Sequence, residues 1–376
     1  MNTLKHLVKS CCSLCCFCCC YDYDESFISI NGRRYLIKEL LSERSLSFIY
    51  LVRQMGISNS SQRMSMGSTS EMYALKKTRC PFGNIESISQ AMKEIDNYKR
   101  FQSPYIISLV DSQVRQEKDG TKTVLILLPF YPLGSLQDSI NRNILRGTFL
   151  SENECIRIMI GITRALRYLH DPAAREETDD NEIERDTVSV AYSDEAAFLL
   201  DDTPLELDIL SSHNTTNTNS YSHRDLKPSN ILFSSDGVPV ISDLSLCSKT
   251  DVTIKTKLQL HELQEWVSDH CTIPYTAPEL LNLKQNIDMD YKVDIWSFGC
   301  ICYAMLFGIS PFEREEQLRG SSLVYAISTG KFSYPKQTRY SQNLLDIIES
   351  CLQVEPANRP TTNSLLATFQ ELQTTN

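Results

Sequence analysis

The stretch Ser222-His223-Arg224-Asp225-Leu226-Lys227-Pro228-Ser229-Asn230 constrains this chain more than any other. It puts a carboxylate, a lysine two residues later and a carboxamide three beyond that into a single loop. A phosphoryl transfer needs those three chemistries within a few ångströms: a group to take a proton, a cation, and an oxygen to hold a metal. From His223 to Asn230 the residues fit H-R-D-L-K-P-x-N at every specified position. A loop this specific implies particular neighbours on either side, and the rest of the chain can be searched for them.

The 376 residues leave room for one bilobal domain of roughly 250 to 300 residues with appendages. With 41% hydrophobic and 22% charged residues the chain can bury a sizeable core, which excludes a wholly disordered protein. The net charge of -10 is unevenly spread: residues 171–221 hold 14 Asp and Glu against 2 Arg, so the remainder sums to about +2. The acidity belongs to one segment, and no nucleic-acid partner is expected. Seven of the 14 cysteines (Cys11, Cys12, Cys15, Cys16, Cys18, Cys19 and Cys20) fall within ten residues, while the other seven form no ladder. That pattern argues for a reducing compartment rather than a disulfide framework. The longest uncharged run, residues 295–312, contains Ser297, Gly299 and Gly308 and ends at Ser310-Pro311. It reads as a buried core helix, and no transmembrane helix is expected.

Residues 1–26 read as an appendage in which clustered thiols are candidates for S-palmitoylation. Each buried CH₂ of an acyl chain contributes ~0.8 kcal/mol, so two or more chains anchor stably. A metal cluster and an inert tail are the competing readings. From Tyr35 the pattern turns to short strands: 35–37, 48–52, 72–75, 106–114 and 124–128. Residues 53–71, rich in Ser, Gly and Met, read as a loop insertion. Lys76 closes the third strand, and a helix over residues 85–101 carries Ile88, Met92, Ile95 and Tyr98 on one face, with Glu94 beside them. Strand alternation sends Lys77 to the side opposite Lys76. Pro129 to Gly134 breaks the β pattern and reads as a hinge. Ser151 to Glu154 fits a capping box for a helix whose apolar face runs to His170. Residues 171–221 then have the composition of a disordered insert.

Beyond the loop, residues 231–233 and 238–241 read as a hairpin leading to Asp243-Leu244-Ser245, followed by Ala277-Pro278-Glu279, by Asp294 to Gly299 and by Asn358-Arg359-Pro360. Order and spacing resemble the eukaryotic protein kinase domain over about residues 35–372, which implies an α+β bilobal fold with a β-rich N-lobe (35–129) and a helical C-lobe (130–372). More narrowly, Trp266 and Cys271-Thr272-Ile273-Pro274-Tyr275 resemble the Numb-associated kinase family, in its lipid-anchored branch of myristoylated and palmitoylated Ser/Thr kinases. That resemblance implies a helix over residues 258–269 within the activation segment; Leu260, Leu263 and Val267 share a face there.

The resemblance also assigns roles. Asp225 is the implied catalytic base with Lys227 beside it, and Asn230 and Asp243 the Mg²⁺ ligands. Lys76, oriented by Glu94, is the implied partner of the ATP phosphates, with Leu128 and Phe130 at the adenine. Thr272 marks a Ser/Thr acceptor, while Glu279 paired with Arg359, and Asp294 behind the catalytic loop, are structural. Arg224 implies coupling to a phosphorylated activation segment, with Thr250, Thr253, Thr256 and Ser268 as sites. The phosphate loop departs from the pattern: Ser42, Arg44 and Ser47 stand where glycines or a serine belong, before Ile49. Where φ must be positive, losing those glycines costs ~1–2 kcal/mol and weakens ATP binding. The expected activity is transfer of the ATP γ-phosphoryl group to protein Ser/Thr, with autophosphorylation; a nucleotide-binding pseudokinase scaffold is the alternative. By resemblance to palmitoylated fungal members, the expected place is the cytoplasmic face of an endomembrane, vacuolar or Golgi, in vacuole or trafficking regulation.

Overall fold

The computed structural model describes residues 26–44, 46–55, 71–175, 219–250, 252–253, 255–284 and 288–375. The cysteine cluster and most of the acidic insert lie outside the described residues. Two compact units divide the chain: Met1–Arg79 with Asp111–Phe130, and Cys80–Val110 with Tyr131–Asn376.

The first unit is a six-stranded sheet of β1 (Phe27–Ile30), β2 (Arg33–Arg44), β3 (Ser47–Gln54), β4 (Met72–Cys80), β5 (Asp111–Gln116) and β6 (Lys122–Pro129), in the order β1-β2-β3-β4-β6-β5. Its core is a layer of Ile30, Tyr35, Val52, Leu75, Leu125 and Leu127, none of them exposed, with Tyr50 and Tyr73 against it. Because side chains alternate, residues one step away face the other side. Register therefore aligns Ser42, Ile49 and Lys76 in one row across β2, β3 and β4, opposite the core face, while Lys77 pairs with Phe48.

The sheet begins eight residues before the Tyr35 start read from the sequence. Asn31 and Gly32, both at positive φ (44° and 81°), make the two-residue turn that suits the twist of a hairpin. Asn31 Nδ2 also donates to Asp111 Oδ1 at 2.7 Å, tying the turn to β5. A second correction concerns the strand expected over residues 106–114. Only Asp111–Gln116 joins the sheet, whereas Ile107 N donates to Ile241 O and Ile241 N to Tyr105 O, each at 2.8 Å.

The second unit is mainly helical. α1 (Ile85–Arg100) is capped by Asn84, α2 (Leu136–Arg146) by Ser135 and Asp138, and α3 (Glu152–His170) by the expected box of Ser151 and Glu154. Gly134, at φ +77°, sits before α2 where an added Cβ would lie 2.8 Å from Asp138 Oδ2. Short strands follow: β7 (Tyr221–Ser222), β8 (Ile231–Phe233), β9 (Pro239–Ile241), β10 (Ser248–Lys249) and β11 (Val252–Thr253). Gly161 lets α3 approach β9 closely, since a Cβ there would come within 2.3 Å of Pro239 Cγ.

Next come α4 (Lys257–His270), α5 (Pro278–Leu281), β12 (Asp288–Met289), α6 (Lys292–Phe307), α7 (Pro311–Arg319), α8 (Leu323–Thr329), α9 (Gln342–Cys351) and α10 (Thr362–Thr375). α4 occupies the stretch expected to be helical, with Leu263 and Val267 buried. The uncharged run over residues 295–312 is not one helix. α6 stops at Phe307 because Gly308 turns left-handed (φ +83°), and α7 restarts under a Ser310 cap with a bend of 64°. No single described helix is long and apolar enough to cross a membrane.

Candidate active site

The loop from His223 to Asn230 is pinned from behind by α6. Asp294, fully buried, accepts the backbone N–H groups of His223 (2.8 Å) and Arg224 (3.0 Å) and lies 2.9 Å from His170 Nε2 on α3. Burial alone would push the Asp294 carboxyl up. The hydrogen bond and charge of His170, with those of His223 and Arg224, outweigh burial and hold it below the ordinary carboxylate range. One carboxylate thus fixes two successive amides of the loop and the end of a neighbouring helix. Arg224 is left at φ +67°, a strained conformation that persists only where its surroundings impose it. His223 closes the back of the loop through Nε2, 3.0 Å from Ser242 O.

At the front, three side chains form a closed triangle. Lys227 Nζ donates to Asp225 Oδ2 at 2.6 Å and to Thr272 Oγ1 at 2.8 Å, and Thr272 Oγ1 donates to Asp225 Oδ1 at 2.8 Å. Thr272 comes from the turn after α4, 47 residues from Asp225 in sequence. Asn230 Nδ2 donates to Asp225 O at 2.9 Å, which leaves its Oδ1 as the acceptor side of the amide. Ser242 N then returns to Asn230 O at 2.8 Å, so the hairpin β8–β9 delivers Asp243 next to the loop.

Among the described residues, Arg224 meets a backbone carbonyl and an aromatic ring. Its Nη2 donates to Lys249 O at 2.9 Å, and its guanidinium lies 5.9 Å from the centre of the Trp266 ring. Of the four hydroxyls considered as phosphorylation sites, Thr250 is buried and shares a bond with Ser220 O, Thr256 caps α4, and Ser268 is exposed. For Thr253 only the backbone, paired with Asp288, is described. Glu279 and Arg359 form the expected bidentate pair at 2.6 and 2.8 Å, with Arg359 also 5.1 Å from the Trp296 ring.

The residues expected at the nucleotide are placed as follows in each unit. Lys76 lies on β4 and Leu128 on β6, while Phe130 ends the first unit. Glu94 lies buried on α1, accepting Tyr98 OH at 3.0 Å. Around the phosphate loop, β2 and β3 stay laddered almost to their tip: Ser42 pairs with Ile49, Glu43 with Phe48 and Arg44 with Ser47. Ser47 Oγ sits 3.3 Å from Thr78 Oγ1. Ser42 is an ordinary strand residue without positive φ, so the strain anticipated there for a missing glycine does not arise.

Sequence reasoning missed His170 and Asn97. His170 was visible only as the polar residue closing an apolar helical face. Asn97, one turn from Glu94, donates to Leu244 O and Cys247 O at 2.9 and 2.8 Å, and no local pattern announces contacts some 150 residues away.

The family model described as the protein kinase domain matches residues 33–174 and 207–369, leaving unmatched a piece of the acidic stretch. Serine/threonine-protein kinase ENV7 of Saccharomyces cerevisiae is 58% identical over 353 residues, 94% of this chain and 95% of its own length. Serine/threonine-protein kinase ppk13 of Schizosaccharomyces pombe is 33% identical over 92% of each chain. Human serine/threonine-protein kinase 16 is 28% identical, again over 92% of each.

Proposed function

The chain belongs to the protein kinase family and is a serine/threonine protein kinase, and from that premise we propose how its residues divide the work. The observation that carries the reading is the triangle of Asp225, Lys227 and Thr272. Asp225 takes or orients the proton of the incoming Ser/Thr hydroxyl, with its carboxylate direction fixed by Thr272 on one oxygen and Lys227 on the other. Lys227, 2.6 Å from that carboxylate, keeps a cation where charge grows during transfer. In this reading Lys76 neutralises the α and β phosphates of ATP, and Ser42, Arg44, Ser47 and Ile49 belong to the loop assigned to them. The backbone at Pro129 to Gly134 hydrogen-bonds the adenine beside Leu128 and Phe130.

The donor set at Asn230 and Asp243 fits Mg²⁺: both offer hard oxygens, and Asn230 has its amide nitrogen already committed to Asp225 O. Among the described residues no group of three or more His, Cys, Asp or Glu could hold a metal. A two-ligand set suits an ion that completes its shell with phosphates and water. When bound, Mg²⁺ neutralises phosphate charge that the protein alone leaves uncompensated.

The same reading includes autophosphorylation and tethering to the cytoplasmic face of an endomembrane, vacuolar or Golgi, through S-acylation of Cys11, Cys12, Cys15, Cys16, Cys18, Cys19 and Cys20, with a role in vacuole or trafficking regulation. What supports the tether is seven thiols within ten residues. The enzymatic reading is tested by incubating the purified chain with Mg-ATP and a mixed peptide set. Phosphate should appear on Ser and Thr, in the chain itself and in the peptides, and should vanish in Lys76→Met; label on Tyr alone would overturn the acceptor assignment. For the tether, hydroxylamine-sensitive acyl exchange should map to residues 11–20. Membrane retention after all seven are changed to Ser would contradict it.

A further inference from the structure

Asp243 adopts φ +61°, a left-handed conformation that costs a non-glycine residue ~1–2 kcal/mol and needs support from its surroundings. Two features supply that support. Ser245, inside the 3₁₀ turn Leu244–Leu246, donates from Oγ to Asp243 Oδ1 at 2.7 Å. The turn itself is clamped from α1: Asn97, 4% exposed, donates from Nδ2 to Leu244 O at 2.9 Å and to Cys247 O at 2.8 Å. Those two carbonyls bracket Ser245, so its hydroxyl is held at both ends of the turn that carries it. The pattern that the chain resembles has glycine at 245, which offers no hydroxyl.

We propose that Asn97 and Ser245 act as one tether from α1 to Asp243, and that they are positioning residues setting the direction in which this carboxylate meets Mg²⁺. The inference rests on the reading of Asp243 as a metal ligand. A ligand whose partner fixes its orientation before the ion arrives holds that ion more tightly, and such partners are typically worth about 10–100-fold in metal affinity. The hydroxyl leaves the carboxylate charged, because it donates a hydrogen bond without transferring a proton. Ser245 therefore sharpens the ligand that glycine would leave free to turn.

The test is Mn²⁺ titration of the full chain with a non-hydrolysable ATP analogue, following the EPR signal of free Mn²⁺, a readout independent of turnover. Ser245→Ala should weaken Mn²⁺ binding about tenfold or more, and Ser245→Thr, which keeps the hydroxyl, should stay within about twofold of wild type. Affinity for the analogue in EDTA and the thermal midpoint should not move in either variant. Asn97→Ala also empties a buried site, so it is read through the double variant: its loss of Mn²⁺ affinity should not add to that of Ser245→Ala. If Asp243→Asn loses Mn²⁺ and Ser245→Ala does not, the tether is wrong. Additive losses, or a Ser245→Ala loss that persists as weaker analogue binding in EDTA, overturn it equally. Undiminished Mn²⁺ binding in Asp243→Asn instead removes the metal-ligand reading beneath it.

Discussion

At the scale of residues, the site is a set of carboxylates held by donors from distant parts of one unit. Thr272 illustrates how much a single hydroxyl does, since it donates to Asp225 and accepts from Lys227. Thr272→Val keeps the shape and removes both bonds. A lost hydrogen bond to a charged group costs ~1.5–3 kcal/mol, so kcat should fall about 10–100-fold while the ATP KM stays near wild type, as steady-state kinetics would show. Asp294 carries a pH dependence. Its folded carboxyl titrates below the ordinary range, so the stability it contributes is complete above roughly pH 4 and is lost as pH falls through the folded value. Asp294→Asn should flatten that acid limb in unfolding free energies measured from about pH 3 to 7, at a cost near neutrality of ~3–5 kcal/mol. The contiguous chemistry of His223 to Asn230 was legible because each residue lies within one loop. His170 and Asn97 were not, because their partners sit 124 and about 150 residues away and only packing brings them together.

At the scale of elements, capping and alternation did most of the sequence's work. Ser151 announced α3, and the apolar face of α4 reappears as buried Leu263 and Val267. The first strand escaped notice although Asn31-Gly32, a strong hairpin signal, lay in plain view; the charged residues flanking it hid the alternation. The worn phosphate loop is the element whose meaning changed most. Glycine at position 42 looked missing, yet beyond an irregularity at Leu41 the hairpin is paired from Ser42 to Arg44, and Ser42 serves it as a strand residue. Ser42→Gly should therefore destabilise the hairpin by about 0.5–1 kcal/mol, seen as faster amide exchange over residues 42–49. Unchanged or slower exchange there would mean that the serine is strained after all.

At the scale of the whole molecule, the chain is a β-sheet unit and a helical unit, each with its own core. The helical unit contains the acid, lysine and amide proposed for the transfer chemistry, locked to α6 by a buried carboxylate and to the turn after α4 by Thr272. Bilobal organisation was legible from the order of motifs, while the exact edges of strands were not, because short apolar runs fit several registers. The central claim is that Asp225 does the chemistry on a scaffold that is already set. The most direct measurement is phosphoryl transfer by Asp225→Ala alongside its nucleotide affinity and thermal midpoint. Transfer should fall by at least about 100-fold while nucleotide binding and folding persist. Transfer at the wild-type rate in a folded, nucleotide-binding Asp225→Ala would contradict the account.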